Sequence, residues 1–454
     1  MASCWLVRFI VGGFLISTLL SDLSQARSAF RCWSNLNAGR FKSDNFQPCF
    51  ENKCRCDGFN IDCSSNFGQL PYVPLVKGGG EVLNFSNNNV VEINDPHFFV
   101  NVSRSVSVID LYNNGLTRLT SGVFRFVFKL KRVLIGGNKL KYDQMDPVLQ
   151  VPRLRSLEIK CGGLGDIPKG FFFNRPCFML RYIDMSWNKM QVLHFEAFQP
   201  LRRLENLRLS NNRIQTVNSS RLQSLKYLIL HKNKIVEFPM TCDENGESLF
   251  PNLILLDLDF NHIDALTDSL CLPSLTNLSL KYNYFDSFTK NMFLLPRFPK
   301  LQQVELTQMR VKVLEMEAFA FNNSQLTYIK LGYNSIDFSS EIVHEDVFRG
   351  CHRLENLYMD RTNFNAVSDE RFRDLFGSLT SLKVLYLGYT GLQISPTTFL
   401  ALPNLQELYM YSNSLRSIPD GGFDHLVNLT TLKLGNNQIA TVPASAFGED
   451  TRRR

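Results

Sequence analysis

The sequence predicts an α/β solenoid, a stack of coils that each add one short strand to a shared parallel sheet on the concave side. Three observations predict it. One phrase recurs fifteen times between Leu83 and Ile439: apolar, any, apolar, two variable positions, usually Asn, any, apolar. Its clearest copies read LRLSNNRI from Leu207, LILHKNKI from Leu228 and LKLGNNQI from Leu432. The Asn position falls at Asn88, Asn114, Asn138, Gly162, Asn188, Asn212, Asn233, Asn261, Asn283, Met309, Asn334, Thr362, Thr390, Asn413 and Asn437. A Phe then follows in most copies, at Phe124, Phe198, Phe293, Phe319, Phe348, Phe399, Phe423 and Phe447.

Each element of the phrase has a physical reason. Two apolar residues separated by one variable residue point to the same side of an extended strand, so they enter a core while the residue between them faces out. The Asn turns the chain, and its amide bonds the backbone of the neighbouring coil to form a ladder along the stack. Eleven of the fifteen positions are Asn. The interval averages about 25 residues, inside the span of leucine-rich repeats, and ranges from 21 (Asn212 to Asn233) to 28 (Asn233 to Asn261). The repeated Phe residues read as core on the convex side, which accounts for much of the count of 37 Phe.

Domain organisation follows from the register. A globular chain of 454 residues would divide into about three domains, but a solenoid is one quasi-linear unit whose core grows with repeat number. Residues 1–29 read as a secretory signal peptide: Arg8 precedes an apolar run, Phe9 to Leu20, too short to span a bilayer, and small residues close the segment near Ala26 and Ala29. Residues 30–79 form a cysteine-rich cap, 80–448 the solenoid, and 449–454 a basic tail. No other segment is long and apolar enough to cross a membrane. The location expected is therefore extracellular, as a secreted chain or the exported part of a cell-surface receptor. The net charge of +7 is spread along the chain, with no polybasic block before Arg452, Arg453 and Arg454, and singles out no class of partner.

Cysteines and sequons agree with export. Cys49, Cys54, Cys56 and Cys63 precede the first repeat and, in an oxidising compartment, form a disulfide framework closing the first apolar face; their spacing permits three connectivities. Zinc is disfavoured, because paired C-x2-C knuckles are absent. Cys161 with Cys177, and Cys242 with Cys271, are each placed to close a loop, leaving Cys32 and Cys351 without an assigned role. Six N-x-S/T sequons occur, at Asn84, Asn101, Asn218, Asn277, Asn322 and Asn428. Asn84 and Asn277 belong to strands, so both are expected to project from the concave sheet and carry glycans that obstruct ligand there.

Catalytic signatures are missing. The chain contains no G-x-S-x-G, HExxH, P-loop or dinucleotide fingerprint. Gly78, Gly79 and Gly80 read as a joint between cap and first repeat, and His344 and His352 lack the carboxylate or Cys neighbours of a metal site. Neither enzyme activity, nor a cofactor, nor a metal is expected.

Function therefore falls to the concave face. The residue between the two apolar strand positions reads, repeat by repeat, Asn84, Asp110, Leu134, Glu158, Asp184, Arg208, Ile229, Asp257, Ser279, Glu305, Lys330, Tyr358, Tyr386, Tyr409 and Lys433. The first ten include five acids, and three successive tyrosines follow at repeats twelve to fourteen. Strands about 4.8 Å apart make Tyr358, Tyr386 and Tyr409 a contiguous strip, flanked in neighbouring columns by Tyr328, Tyr333, Arg361, Tyr389 and Tyr411. Tyr suits exposed strand positions by β-propensity alone. It is also a preferred recognition residue, combining contact area, a polar tip and low entropy cost, and seven of the fourteen Tyr cluster here. Trp187, Phe260 and Tyr282, in the column before the Asn, are more dispersed and read as packing.

The signal peptide, cysteine-bearing cap and about fifteen Phe-containing repeats of uneven length resemble the ectodomain of a Toll-like receptor over residues 30–448. Variable lymphocyte receptors of jawless vertebrates are similar but more uniform in repeat length, and small leucine-rich proteoglycans have a similar cap. Caps of this kind imply interlaced pairing, Cys49 with Cys56 and Cys54 with Cys63. The resemblance implies recognition of a protein or microbial ligand on the concave face or flank, with pairing into a receptor homodimer or heterodimer. The chain departs from the family at Gly448 to Arg454, which supply no carboxy-terminal cysteine cap, membrane helix or signalling domain. A truncated receptor, a partial gene product or a soluble form is the expectation. The alternatives are a secreted matrix or adhesion protein and an antigen binder of the variable-lymphocyte-receptor type. Nucleic acid is disfavoured, because Arg208, Lys232, Lys281, Lys330 and Arg361 are interspersed with acids, whereas phosphate binding favours a continuous basic track.

Overall fold

The computed structural model describes residues 47–49, 54–65, 73 and 80–448, apart from 103, 268–269, 291, 294–297 and 320–324. The expected signal peptide, Cys32, the Asn322 sequon and the basic tail lie outside these residues.

Fifteen three-residue strands, from Val82–Asn84 in repeat one to Thr431–Lys433 in repeat fifteen, pair in parallel and in sequence order. The register never slips. Leu83 lies beside Ile109, Leu207 beside Leu228, and Leu385 beside Leu408. These central residues point into the core, and the apolar residue two places on joins them: Leu207, Leu209 and Ile214 are all fully buried. A one-residue slip would turn every coil inside out. Truncating one such Leu to Ala costs about 2–5 kcal/mol.

The Asn ladder forms as expected. Asn138 donates Nδ2 to its own coil at Ile135 O (2.8 Å) and to the preceding coil at Leu111 O (2.9 Å). Its Oδ1 accepts from the backbone N–H groups of Asn114 and Leu116, also in the preceding coil. One amide thus satisfies buried donors and acceptors that three-residue strands leave over. Thr362 and Thr390 keep the contact within the coil, to Met359 O and Leu387 O, but a hydroxyl is too short to reach the preceding coil.

On the convex side the repeated Phe residues stack coil to coil. Phe293 on Phe319 and Phe319 on Phe348 are 5.5 and 5.7 Å apart. Phe447, in the last described coil, stacks on Phe423 at 5.5 Å but remains 40% exposed. The 28-residue interval between Thr362 and Thr390 holds a helix, Asp369–Phe376, started by Ser368, whose Oγ accepts from Arg371 N.

The cap is a hairpin, Gln47–Cys49 with Cys54–Cys56, followed by Asn60–Asp62, which pairs in parallel with repeat one. Its disulfides join Cys49 to Cys56 and Cys54 to Cys63. Cys242–Cys271 is also bonded. The expected bridge between Cys161 and Cys177 is not: Cys177 is a buried thiol, while Cys161 is bonded to another cysteine. Cys161 follows the strand of repeat four, whereas Cys177 lies on the approach to repeat five. Burial pushes the Cys177 thiol pKa up. Cys351 is buried, with Sγ 3.1 Å from Phe319 O.

Candidate ligand-binding face

The concave column changes character along the stack. In the first repeats it is closed. Asp110, Glu158 and Asp184 are buried: Asp110 accepts from the backbone N–H of Tyr112 at 2.9 Å, Arg132 and Lys160 reach Glu158, and Lys160 Nζ stands 2.9 Å from Asp184. The acids read from the sequence as a charged surface are thus largely neutralised. Asn84 is closed too. Its amide donates to Asp62 (2.9 Å) and accepts from Ser86, so it does not project as a glycan acceptor, contrary to expectation. Asn277 is half-buried and donates to Gln303 (2.7 Å). Asn101 donates to Val73 O, Asn218 pairs with His194, and Asn428 donates to Pro403 O.

From repeat six the column is half-buried or exposed, and from repeat eleven it turns aromatic. Tyr328, Tyr358, Tyr386 and Tyr409, all half-buried, form a continuous ladder of rings. Centroid distances shorten along it from 5.1 to 4.4 to 3.9 Å, with the last two pairs stacked. The later steps are closer than the strand spacing of about 4.8 Å, as befits side chains on the inner side of a curved sheet. Lys330 closes the near end, with Nζ 5.2 Å from both the Tyr328 and Tyr358 rings and 3.3 Å from Glu305. Because neighbours occupy the ring faces, the ladder presents ring edges and phenol groups outward. Burial and the adjacent Tyr328 push the Tyr358 pKa up to about 12, so that phenol stays neutral. Tyr409 donates to Glu407 at 2.8 Å.

A second group stands at the strand exits. Arg361 lies over both Tyr333 (5.2 Å) and Tyr389 (4.2 Å). Tyr389 meets Tyr411 edge to face, and the Tyr411 hydroxyl donates to Asp360 at 2.7 Å. Burial raises the Asp360 pKa despite that bond. The column needs Gly388 here, because a Cβ would come 2.4 Å from the Tyr411 ring and 2.7 Å from Asp360 Oδ1. All eight residues singled out from the sequence therefore fall in one patch, as two adjoining files.

The strand-exit column holds what the sequence concealed. In every repeat the residue before the Asn position has positive φ, between 51° (Asn113) and 62° (Trp187) at the non-glycine members. This left-handed step breaks strand alternation, so a side chain that the period of two would send inward swings to the surface instead. Phe260 and Tyr282 are consequently not packing. Each is 40% exposed, and they stack at 4.1 Å with Lys232 over Phe260. Bulky residues at such φ values are uncommon.

Known proteins share this architecture. The leucine rich repeat family model matches residues 152–214 and 380–439, and a BspA type leucine rich repeat region model matches 274–386. The chain is a leucine-rich repeat protein. Among curated relatives, podocan of Mus musculus is 26% identical over 360 residues, covering 74% of this chain and 56% of podocan. Toll-like receptor 3 of Homo sapiens is 25% identical over 360 residues, covering 74% of this chain and 36% of the receptor. The chain thus spans about half of the first relative and about a third of the second. A solved TLR13–ssRNA13 complex matches with a TM-score of 0.63 and 20% identity over 82% of this chain and 58% of that one. The leucine-rich repeat chain therefore resembles a Toll-like receptor ectodomain, and is related both to those receptors and to matrix proteoglycans.

Proposed function

We propose that this leucine-rich repeat chain is an extracellular ligand-capturing module of the innate pattern-recognition kind, and that the tyrosine ladder of repeats eleven to fourteen is its contact surface. The ladder carries the reading. Four aromatic rings stand half-exposed in one file on a preformed sheet, whereas the concave column of repeats one to five is buried, with Glu158 and Asp184 held in ion pairs to Lys160. Rigid aromatic side chains on a fixed scaffold lose little entropy on binding. Ring edges and phenols suit a protein or glycoconjugate surface. Bases, which need open ring faces to stack, find the facing sides of Tyr358, Tyr386 and Tyr409 already occupied by one another.

Kinship with podocan supports a second reading, a matrix or adhesion protein. Surface-immobilised chain challenged with lipopolysaccharide, peptidoglycan, flagellin and single-stranded RNA separates the two. Capture of a microbial product, weakened about tenfold or more in the Tyr358→Ala and Tyr386→Ala double variant, fits the proposal. No capture by the wild-type chain sinks the pattern-recognition reading. Capture that survives in the double variant sinks the ladder.

A further inference from the structure

A cation-rich, aromatic edge runs along the strand exits of repeats five to twelve, beside the ladder but distinct from it. Lys189, Arg213, Lys232, Lys234 and Arg310 are all exposed on this edge, and Arg361 continues it. Three of these cations rest on rings: Lys232 over Phe260 at 5.3 Å, Arg310 over Tyr284 at 4.7 Å, and Arg361 between Tyr333 and Tyr389. None of the six takes part in an ion pair among the described residues. By contrast, Lys160, Lys281 and Lys330 on the concave face all hold carboxylates.

Such an edge is complementary to anions that also carry apolar surface. A guanidinium held flat on a ring keeps its N–H edge free for bidentate contact with a carboxylate, and aromatic edges carry partial positive charge. Two observations favour a peptide over a uniform polyanion. The rings occupy one another, Phe260 on Tyr282 and His262 on Tyr284, so bases have few open faces on which to stack. Asp264 and Asp286 also stand exposed two residues beyond His262 and Tyr284 and would repel an unbroken row of phosphates or sulfates. The step from Lys232 to Arg361 spans five repeat intervals, roughly 24 Å, which an extended peptide covers in about seven residues.

We propose that this edge binds an extended acidic peptide segment with interspersed aromatic or apolar residues, independently of what the ladder captures. The test measures fluorescence anisotropy of a fluorescein-labelled peptide of alternating Glu and Tyr, with labelled oligouridylate and a heparin oligosaccharide as comparators. The peptide is expected to bind, to weaken as salt rises, and to lose roughly tenfold or more in affinity in the Lys232→Glu and Arg310→Glu double variant with melting unchanged. Phe260→Ala with Tyr282→Ala should weaken it less. Tyr358→Ala with Tyr386→Ala should leave it within about twofold, so failure here is distinct from failure of the ladder. Unchanged affinity in the charge-reversal variant, tighter binding of either comparator, or loss in the ladder variant would overturn the proposal.

Discussion

Tyr386 and Tyr409 lie face to face, with centroids 3.9 Å apart and planes 7° from parallel. They belong to adjacent coils and come together because Leu385 and Leu408 hold the same register in the core beneath. The proposed recognition surface is thus a product of core packing: any change that shifts one coil against the next misaligns the ladder.

The ladder should be visible by titration. Burial and the adjacent Tyr328 raise the Tyr358 phenol to about 12, against about 10 for an exposed tyrosine. The folded chain holds this proton more tightly than the unfolded one. Its stabilising contribution is therefore complete below about 10 and lost as pH rises towards the folded value. The tyrosinate absorbance difference between wild type and Tyr358→Phe should appear near pH 12. A difference centred near 10 would contradict the stacked, desolvated ladder.

Asn138 bridges two coils with both ends of its amide. Asn138→Ala leaves buried donors and acceptors without partners, and each such group costs about 1–3 kcal/mol. A clear fall in melting temperature is expected. Thr390→Asn, which supplies the missing reach, should be neutral or stabilising by the same assay.

Cys177 should react as a thiol once the chain is denatured without reductant, while Cys242 and Cys271 should appear as a linked peptide by mass spectrometry. A peptide linking Cys161 to Cys177 would contradict the structure. Replacing Cys242 and Cys271 by Ser releases a loop with a sequence separation of 29, a loss of about 3–4 kcal/mol on the chain-entropy account.

Gly388 and Gly435 occupy the same column two repeats apart but differ in surroundings. A Cβ at Gly388 meets Tyr411 and Asp360, whereas at Gly435 it meets nothing within 4 Å. Gly388→Ala should cost about 1–3 kcal/mol and break the Tyr411–Asp360 hydrogen bond. Gly435→Ala should melt like the wild type. Equal melting of the two variants would refute the close packing at Gly388.

The repeat phrase made the fold legible, because each position in it has one dominant physical job: Leu207 and Leu209 must enter the core, and Asn212 must bridge coils. The tyrosine columns were legible for the same reason, since strand alternation places Tyr358 and Tyr386 outward. Alternation failed at the strand exit. There a left-handed residue in each coil moved Phe260 and Tyr282 from the expected packing to the surface, and nothing in a period-two pattern carries that step. Burial of Asn84 was also hidden. It depends on Asp62 of the cap, 22 residues earlier, an interaction that no repeat predicts. Spacing placed Cys161 and Cys177 plausibly in sequence, but spacing does not carry the distance between two sulfurs in the folded stack, and Cys177 stays a buried thiol.

The central claim, that the tyrosine ladder is the ligand-contacting surface, is tested most directly by limited nitration with tetranitromethane, read residue by residue by mass spectrometry. The chain is nitrated alone and with the microbial product it captures. Tyr358, Tyr386 and Tyr409 are predicted to be protected by the ligand, while Tyr227, exposed on the earlier concave face, remains equally reactive. Unchanged nitration of the three ladder tyrosines with ligand bound would contradict the account.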